Sequence, residues 1–259
     1  MTGRDPDEIW EESVDEGDRR LSRGTLALGA TGLIGGVDVM FGVLALTGVS
    51  GALAVSLPEQ IAHLIGSLAF GIGFVFVVVG RSELFTENFL VPVATVLRGR
   101  AEPTALLRLW SVTMVANLVG LFVLAAAFTR AGAVPPETLK AAGKAADTLA
   151  ERDVVAALIS AVVAGLIMTL FTWLTHAVER DSSRILIALL LGFLIALPSL
   201  NHAVVGFGEM AFGILGGTSD KATWSDLAQN FPIAVVGNLI GGLGFVTLSR
   251  VLQVRGEPE

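Results

Sequence analysis

Six stretches of membrane length, each free or nearly free of charge, limit what this chain can fold into. They cover residues 24–47, 64–80, 110–129, 154–175, 185–201 and 227–248, and the first is broken only by Asp38. An α-helix of about 20 apolar residues crosses a bilayer core of roughly 30 Å, whereas a soluble helix carries an apolar stripe and not an apolar block. Composition points the same way. Hydrophobic residues make up 53% of the chain and charged ones 16%, with a mean hydropathy of +0.72, against the roughly 25% charge of a soluble domain. The sequence therefore predicts an all-α integral membrane protein with six transmembrane helices in one domain.

Spans two and five stop early. They reach Arg81 and His202 and resume as shorter apolar segments, 88–97 and 203–215, the second running on past Glu209. Both read as broken helices, which the hydrocarbon core tolerates only where protein or a water-lined path receives the freed backbone groups. With the N-terminus inside, eleven arginines fall on the cytoplasmic side: Arg4, Arg19, Arg20, Arg23, Arg98, Arg100, Arg108, Arg180, Arg184, Arg250 and Arg255. Only five basic residues fall outside, namely Arg130, Lys140, Lys144, Arg152 and Lys221, while Arg81 lies within a span. The positive-inside rule then places both termini in the cytoplasm of an inner, or plasma, membrane.

The halves repeat. Asn117-Leu118-Val119-Gly120 recurs as Asn238-Leu239-Ile240-Gly241, displaced by 121 residues, and the same displacement carries Leu64 to Ile185 and Arg81 to His202. Three spans per half is an odd number, so the second half enters from the opposite side, giving two inverted three-helix repeats. The expected organisation is an acidic cytoplasmic N-terminal tail over 1–23, a transmembrane pore domain over 24–253 with halves of about 24–130 and 153–253, and a cytoplasmic C-terminal tail over 254–259. The net charge of -7 gathers in the first 18 residues, at Asp5, Asp7, Glu8, Glu11, Glu12, Asp15, Glu16 and Asp18. This start lacks the basic and apolar regions of a signal peptide. Its acidity disfavours nucleic acid, and Ile9, Trp10 and Val14 allow an amphipathic helix.

Several chemistries drop out. The absence of cysteine removes disulfides, thiol nucleophiles and iron–sulfur ligation. His63, His176 and His202 have no His-Glu-x-x-His or clustered carboxylate spacing around them, so no metal or other cofactor is expected. Ser199 and His202 are the sole pair resembling a nucleophile and base, without a Gly-x-Ser-x-Gly motif or a second catalytic His/Asp pair. An enzyme is not expected.

At the breaks, Leu84-Phe85-Thr86 and Asn201-His202 stand in a pattern that resembles the formate/nitrite transporter family, whose members carry a Leu-Phe-Thr loop in a broken second helix and a central histidine in a broken fifth. The resemblance continues through Ala116-Asn117-Leu118-Val119-Gly120 and Gly237-Asn238-Leu239-Ile240-Gly241-Gly242 and spans nearly all of residues 24–253. It implies an aquaporin-like protomer in a homopentamer, each protomer with its own pore, and two apolar constrictions flanking His202. Phe70, Phe74, Leu84 and Phe85 match lining positions by their placement, and Ile195 stands where formate-selective members have an aromatic. The chain departs from the pattern at Gly165, where members often have asparagine. It also lacks a clear outer-mouth lysine, although Lys144 and Arg152 are near, and Arg81, Glu83 and Glu87 crowd the loop with charge.

The expected function is a channel or transporter for small monovalent anions of weak acids. An apolar constriction penalises an ion far more than the neutral acid. His202, aided by Thr86 and the positive ends of half-helices, would draw in an anion and exchange a proton with it. The alternative is an aquaporin-like channel for water or a small neutral solute, against which stand the missing paired Asn-Pro-Ala motifs and a titratable group at the break. Some residues admit two readings. His202 is read as functional because it is an ionisable group at a break within a span, the bland alternative being a helix-to-helix hydrogen bond. Arg81 attracts anions or pairs with Glu83 or Glu87, and Asn117 and Asn238 secure the loops or line vestibules. Asp38 and Glu209 read as structural partners or subunit contacts, and the glycines as sites of close helix packing.

Overall fold

Residues 4–256 are described in the computed structural model, so the last three residues of the expected C-terminal tail lie outside the described residues. The described chain is all-helical. An amphipathic α1 (Pro6–Ser22) precedes the long apolar α2 (Thr25–Leu53) and α3 (Glu59–Gly80). A 3-10 turn at Phe85–Phe89 leads to the short α4 (Val91–Leu97), then to the long α5 (Pro103–Phe128) and the surface helix α6 (Pro136–Ala150). The second half runs through α7 (Val154–Ala177), α8 (Asp181–Ala196), α9 (Ala203–Gly216) and α10 (Trp224–Leu239). A π-helical stretch at Ile240–Thr247 joins α10 to α11 (Leu248–Arg255).

Helix ends follow local chemistry. The Asp153 carboxylate accepts from the Val155 and Ala156 amides to start α7, and Thr223 with Asp226 forms a capping box on α10. The π-helical stretch is where the sixth span passes the first break: Gly242 packs on the Phe89 ring, and the Thr247 hydroxyl donates to the Phe89 carbonyl at 2.8 Å.

The breaks are re-entrant. At 22 residues α3 is about 33 Å long, and it ends in Arg81 with a left-handed backbone, φ 56°. From there the chain turns back, and α4 returns to the face where α1 lies: Thr95 donates to the Val14 carbonyl, Arg98 pairs with Glu11, and Arg100 pairs with Asp15 at 2.7 Å. The second break repeats this at the opposite face. There Ser199 takes the left-handed turn at φ 50°, and α9 runs outward against α6, with Gly213 close to Ala142 and Ala146. A left-handed residue costs about 1–2 kcal/mol outside glycine, so both turns are held by tertiary contacts.

Those contacts correct the expected register. Arg81 is matched by Ser199, Glu83 by Asn201 and Phe85 by Ala203, so the breaks are displaced by three residues fewer than the asparagine motifs. His202 is therefore the counterpart of Leu84, not of Arg81. The single displacement of 121 holds for the third helix of each half, whose spacing to the break differs between the halves.

Asn117 and Asn238 secure the loops. Asn117 accepts from the Phe85 amide at 2.8 Å and donates to the Glu83 and Gly32 carbonyls at 2.9 and 2.7 Å. Asn238 accepts from the Ala203 amide at 2.9 Å and donates to the Asn201 and Ala161 carbonyls at 3.1 and 2.8 Å. Each pair of helices must come close for this. A Cβ on Gly36 would overlap the Asn117 carbonyl, and one on Gly165 would overlap the Asn238 carbonyl. The absence of a side chain at 165 is thus a packing requirement of this chain.

The N-terminal segment is a packed helix and not a free tail. Ile9, Trp10 and Val14 are buried against Leu90, Ala94 and Trp173. At the other face, Asp147 of α6 collects the Ser219 hydroxyl at 2.6 Å and the Ala222, Lys221 and Asp220 amides at 2.9–3.1 Å. Burial alone would push this carboxyl up, but the four hydrogen bonds outweigh it and take it from 3.8 down to about 2.

Two outcomes follow. Asn117→Ala and Asn238→Ala each remove two bonds to a re-entrant loop and one to the neighbouring helix, and should cost about 2–4 kcal/mol, read as a lower melting temperature in detergent. Because the folded carboxyl of Asp147 titrates below its ordinary value, its stabilisation is complete above pH 3.8 and is lost as pH falls towards 2. Asp147→Asn should flatten the acid limb of the melting curve in that window, and an unchanged acid limb would contradict the assignment.

Candidate permeation site

Where the two re-entrant segments meet, the Thr86 hydroxyl and His202 Nε2 lie 2.7 Å apart, both without solvent exposure. The ring also caps α9, for Nδ1 accepts from the Val205 amide at 3.0 Å. An acceptor at Nδ1 fixes the neutral tautomer: the proton sits on Nε2 and points at Thr86 Oγ1. The side chain is thus tied to the N-terminus of a 14-residue helix, whose dipole end is positive.

The apolar residues singled out from the sequence come together in the core. Phe70, Phe74, Leu84, Phe85 and Ile195 share one core cluster, each at most 3% exposed. Phe70 and Phe74 stack edge to face at 5.4 Å, and Phe74 reaches Phe171 at 5.4 Å. Phe85 packs on Phe89 at 5.0 Å and on Trp110 at 6.3 Å, behind the first loop. Asn117 and Asn238 are fully buried and spend their amides on backbone, so they support the loops and do not line a vestibule.

Each break satisfies its own backbone. In the first, the Glu87 carbonyl accepts from Thr172 at 3.3 Å and the Asn88 carbonyl from the Trp110 indole at 2.8 Å. In the second, Arg152 donates to the Ser199 and Pro198 carbonyls at 2.6 and 3.3 Å, and His63 Nε2 to the Leu197 carbonyl at 3.0 Å. Arg152 was seen in the sequence as a possible outer-mouth charge. It is instead a clamp on the second turn.

A cavity opens at each end of α3. The one at the α1 face, about 450 Å³, is lined by Glu16, Arg20, Arg23, Arg81, Glu83 and His176 among others. The opposite one, about 760 Å³, is lined by Thr47, His63, Lys140, Lys144, Ser199 and Glu209 among others. His202 lines neither. Most of the α1-face charges are paired. Glu83 binds Arg23 and lies 3.5 Å from Arg20, and Arg20 also reaches Glu16 and the Asn88 side chain at 3.0 Å. Burial opposes the charge on Arg20, yet the Glu83, Glu16 and Glu87 carboxylates more than offset this and raise it further. The pairing of Arg81 with Glu83 or Glu87 that the sequence allowed is not formed. Arg81 makes no ion pair among the described residues, because Arg20 and Arg23 of α1 reach Glu83 first.

A family model described as formate/nitrite transporter matches residues 7–252. The chain belongs to the formate/nitrite transporter family. It is 27% identical over 255 residues to the inner membrane protein YfdC of Escherichia coli (strain K12), covering 96% of this chain and 79% of that protein. Among solved structures, an FNT family ion channel superposes with a TM-score of 0.84 at 18% identity, over 95% of this chain and 98% of that one. A pentameric formate channel with formate bound superposes with a TM-score of 0.72 at 19% identity, over 88% and 97%. These likenesses give the aquaporin-like fold of the family, and five helices among the described residues are long and apolar enough to cross a membrane, in agreement with it. At 16 residues α8 is shorter than these five.

Sequence reasoning missed Arg20, whose partner Glu83 lies on a distant loop. Its removal provides a test. Arg20→Ala should cost about 2–3 kcal/mol, less than the ~3–5 of a broken buried pair because Arg23 remains. Adding Glu83→Gln should recover most of the loss, and a strictly additive double variant would show that the two residues do not interact.

Proposed function

We propose that this protein conducts small monovalent anions of weak acids, formate and nitrite among them, and that His202 exchanges a proton with the permeating species. One observation carries this reading: the Thr86–His202 contact, sealed in apolar surroundings between two cavities at opposite faces. The Nε2–H of the neutral ring and the Thr86 hydroxyl are hydrogen-bond donors for an anion at this depth, and the α9 N-terminus adds a favourable field. Proton donation needs the imidazolium. A proton added at Nδ1 displaces the Val205 amide from the cap, and that freed amide becomes a third donor to the anion. When the Nε2–H bond breaks and the anion gains an O–H bond, the neutral acid forms and the ring is left neutral with its proton on Nδ1. The ring returns to its cap once that proton leaves Nδ1 and Nε2 is reprotonated, and the acid crosses the Phe70–Phe74 region without an ionic desolvation cost.

The two halves are read as inverted repeats, with α1 in the cytoplasm because most arginines gather at its face. Leu68, Val115, Val123, Ile159 and Leu190 stay exposed on a single protomer. Such a surface suits lipid and neighbouring copies in a homopentamer, the assembly named for the formate-bound channel. Native mass spectrometry in mild detergent should give five copies, and monomers alone would count against this.

In proteoliposomes, wild-type formate uptake should rise as external pH falls. His202→Asn keeps a polar side chain but cannot titrate, and should lose this acid-linked uptake by about tenfold or more. His202→Phe should block both anion and acid. Wild-type pH dependence persisting in a correctly assembled His202→Asn protein would overturn the role given to the ring.

A further inference from the structure

Proton exchange at His202 leaves a physical gap at the outer side. The ring lines neither cavity, so an anion arriving from the cavity opposite α1 must leave water before it can meet the ring, and it meets apolar surface while still charged. A group able to neutralise the anion earlier has to stand in that cavity.

One carboxyl group is so placed. Glu209 lines this cavity although only 5% of the residue is exposed. It lies on α9 seven residues after His202, two helical turns and about 10 Å further out on nearly the same face of the helix. Among the described residues no cation lies within ion-pair range of it, and no hydrogen bond engages it. Every other charged or titratable neighbour is accounted for. Lys144 of α6 pairs with Glu59 at 2.9 Å, and His63 of α3 donates to Leu197. Arg152 acts on Glu209 through space while its own donors hold the Ser199 turn. Glu137 and Lys140 of α6 complete the titratable lining, and α2, α5 and α10 bring no titratable side chain to the cavity.

Building on the proposed weak-acid transport, we propose that Glu209 is a second proton-exchanging residue, which protonates the anion in the outer cavity before it reaches the constriction. The Glu209 O–H bond breaks as an O–H bond forms on the anion, yielding the neutral acid and the Glu209 carboxylate. The carboxylate then takes a proton from hydronium in the external water of the cavity, leaving the net reaction as anion plus external proton to neutral acid. At mid-depth the acid O–H bond can break as a bond forms to His202 Nδ1, and the reverse transfer restores the acid, so the two groups work in series.

The test uses the full chain in proteoliposomes with formate as the probe. Glu209→Gln should lower inward uptake at acid external pH by about tenfold or more and flatten its pH profile, while Glu209→Asp should restore a shifted profile. Infrared difference spectra of detergent-solubilised wild type should show a protonated carboxyl band that is lost on adding formate and is absent in Glu209→Gln. The band also responds if transport fails: wild type that moves no formate but loses the band removes the transport reading and keeps the proton exchange. Wild-type uptake with an unchanged profile in Glu209→Gln, or no formate-sensitive carboxyl band in wild type, overturns the role of Glu209. Should Glu209→Gln not assemble, the displaced band of Glu209→Asp makes the same assignment.

Discussion

A backbone that turns back inside a membrane has to find partners for its own amides and carbonyls, and the rest of this structure is arranged around that need. Each unsatisfied group in hydrocarbon costs several kcal/mol. Asparagine answers it with one acceptor and two donors on a short, stiff side chain. One such residue, set mid-helix on the third span of each half, clamps an amide and a carbonyl of the break and a carbonyl of the neighbouring helix. The close approach at Gly36 and Gly165 follows from this, since the clamp works only when two helix backbones nearly touch.

The same support places the chemistry. Thr86 sits one residue after the amide held by Asn117, and His202 one residue before the amide held by Asn238. Their 2.7 Å contact is therefore fixed by two asparagines on separate helices. The ring of His202 also caps α9, so its protonation and the order of that first helical turn are linked events. A side chain free in a wide pore would titrate without such a structural consequence.

Much of this is written locally in the sequence and some is not. Span number comes from block length, a local property, and α2, α3, α5 and α7 match the apolar runs to within several residues. The breaks were legible because a charged or polar residue stops an apolar block, and the segments beyond are too short to cross a membrane. Their return to the face of departure was not, because direction depends on the turns at Arg81 and Ser199. The asparagine repeat was visible as identity, yet the register at the breaks slipped by three residues, which only the hydrogen bonds reveal. Arg20 with Glu83 was invisible because the partners are far apart in sequence and charge alone does not choose among many acids. The side-chain contacts of Phe70, Phe74, Leu84, Phe85 and Ile195 are long-range also, and there the family resemblance supplied what periodicity did not.

The two mouths of the molecule are built on opposite principles. At the α1 face, acids that would repel an anion are spent: Glu83 on Arg20 and Arg23, Glu11 on Arg98, and Asp15 on Arg100. Partnered charges cancel at short range, so their field beyond the cavity is small and is screened by salt within about 8 Å. At the opposite face, Arg152 is spent on carbonyls of the Ser199 turn, and among the described residues Glu209 has no partner in contact. The clamp that keeps the second turn folded thus withdraws the cation that would otherwise neutralise that acid. Its availability for chemistry is a consequence of the backbone's own demand for donors.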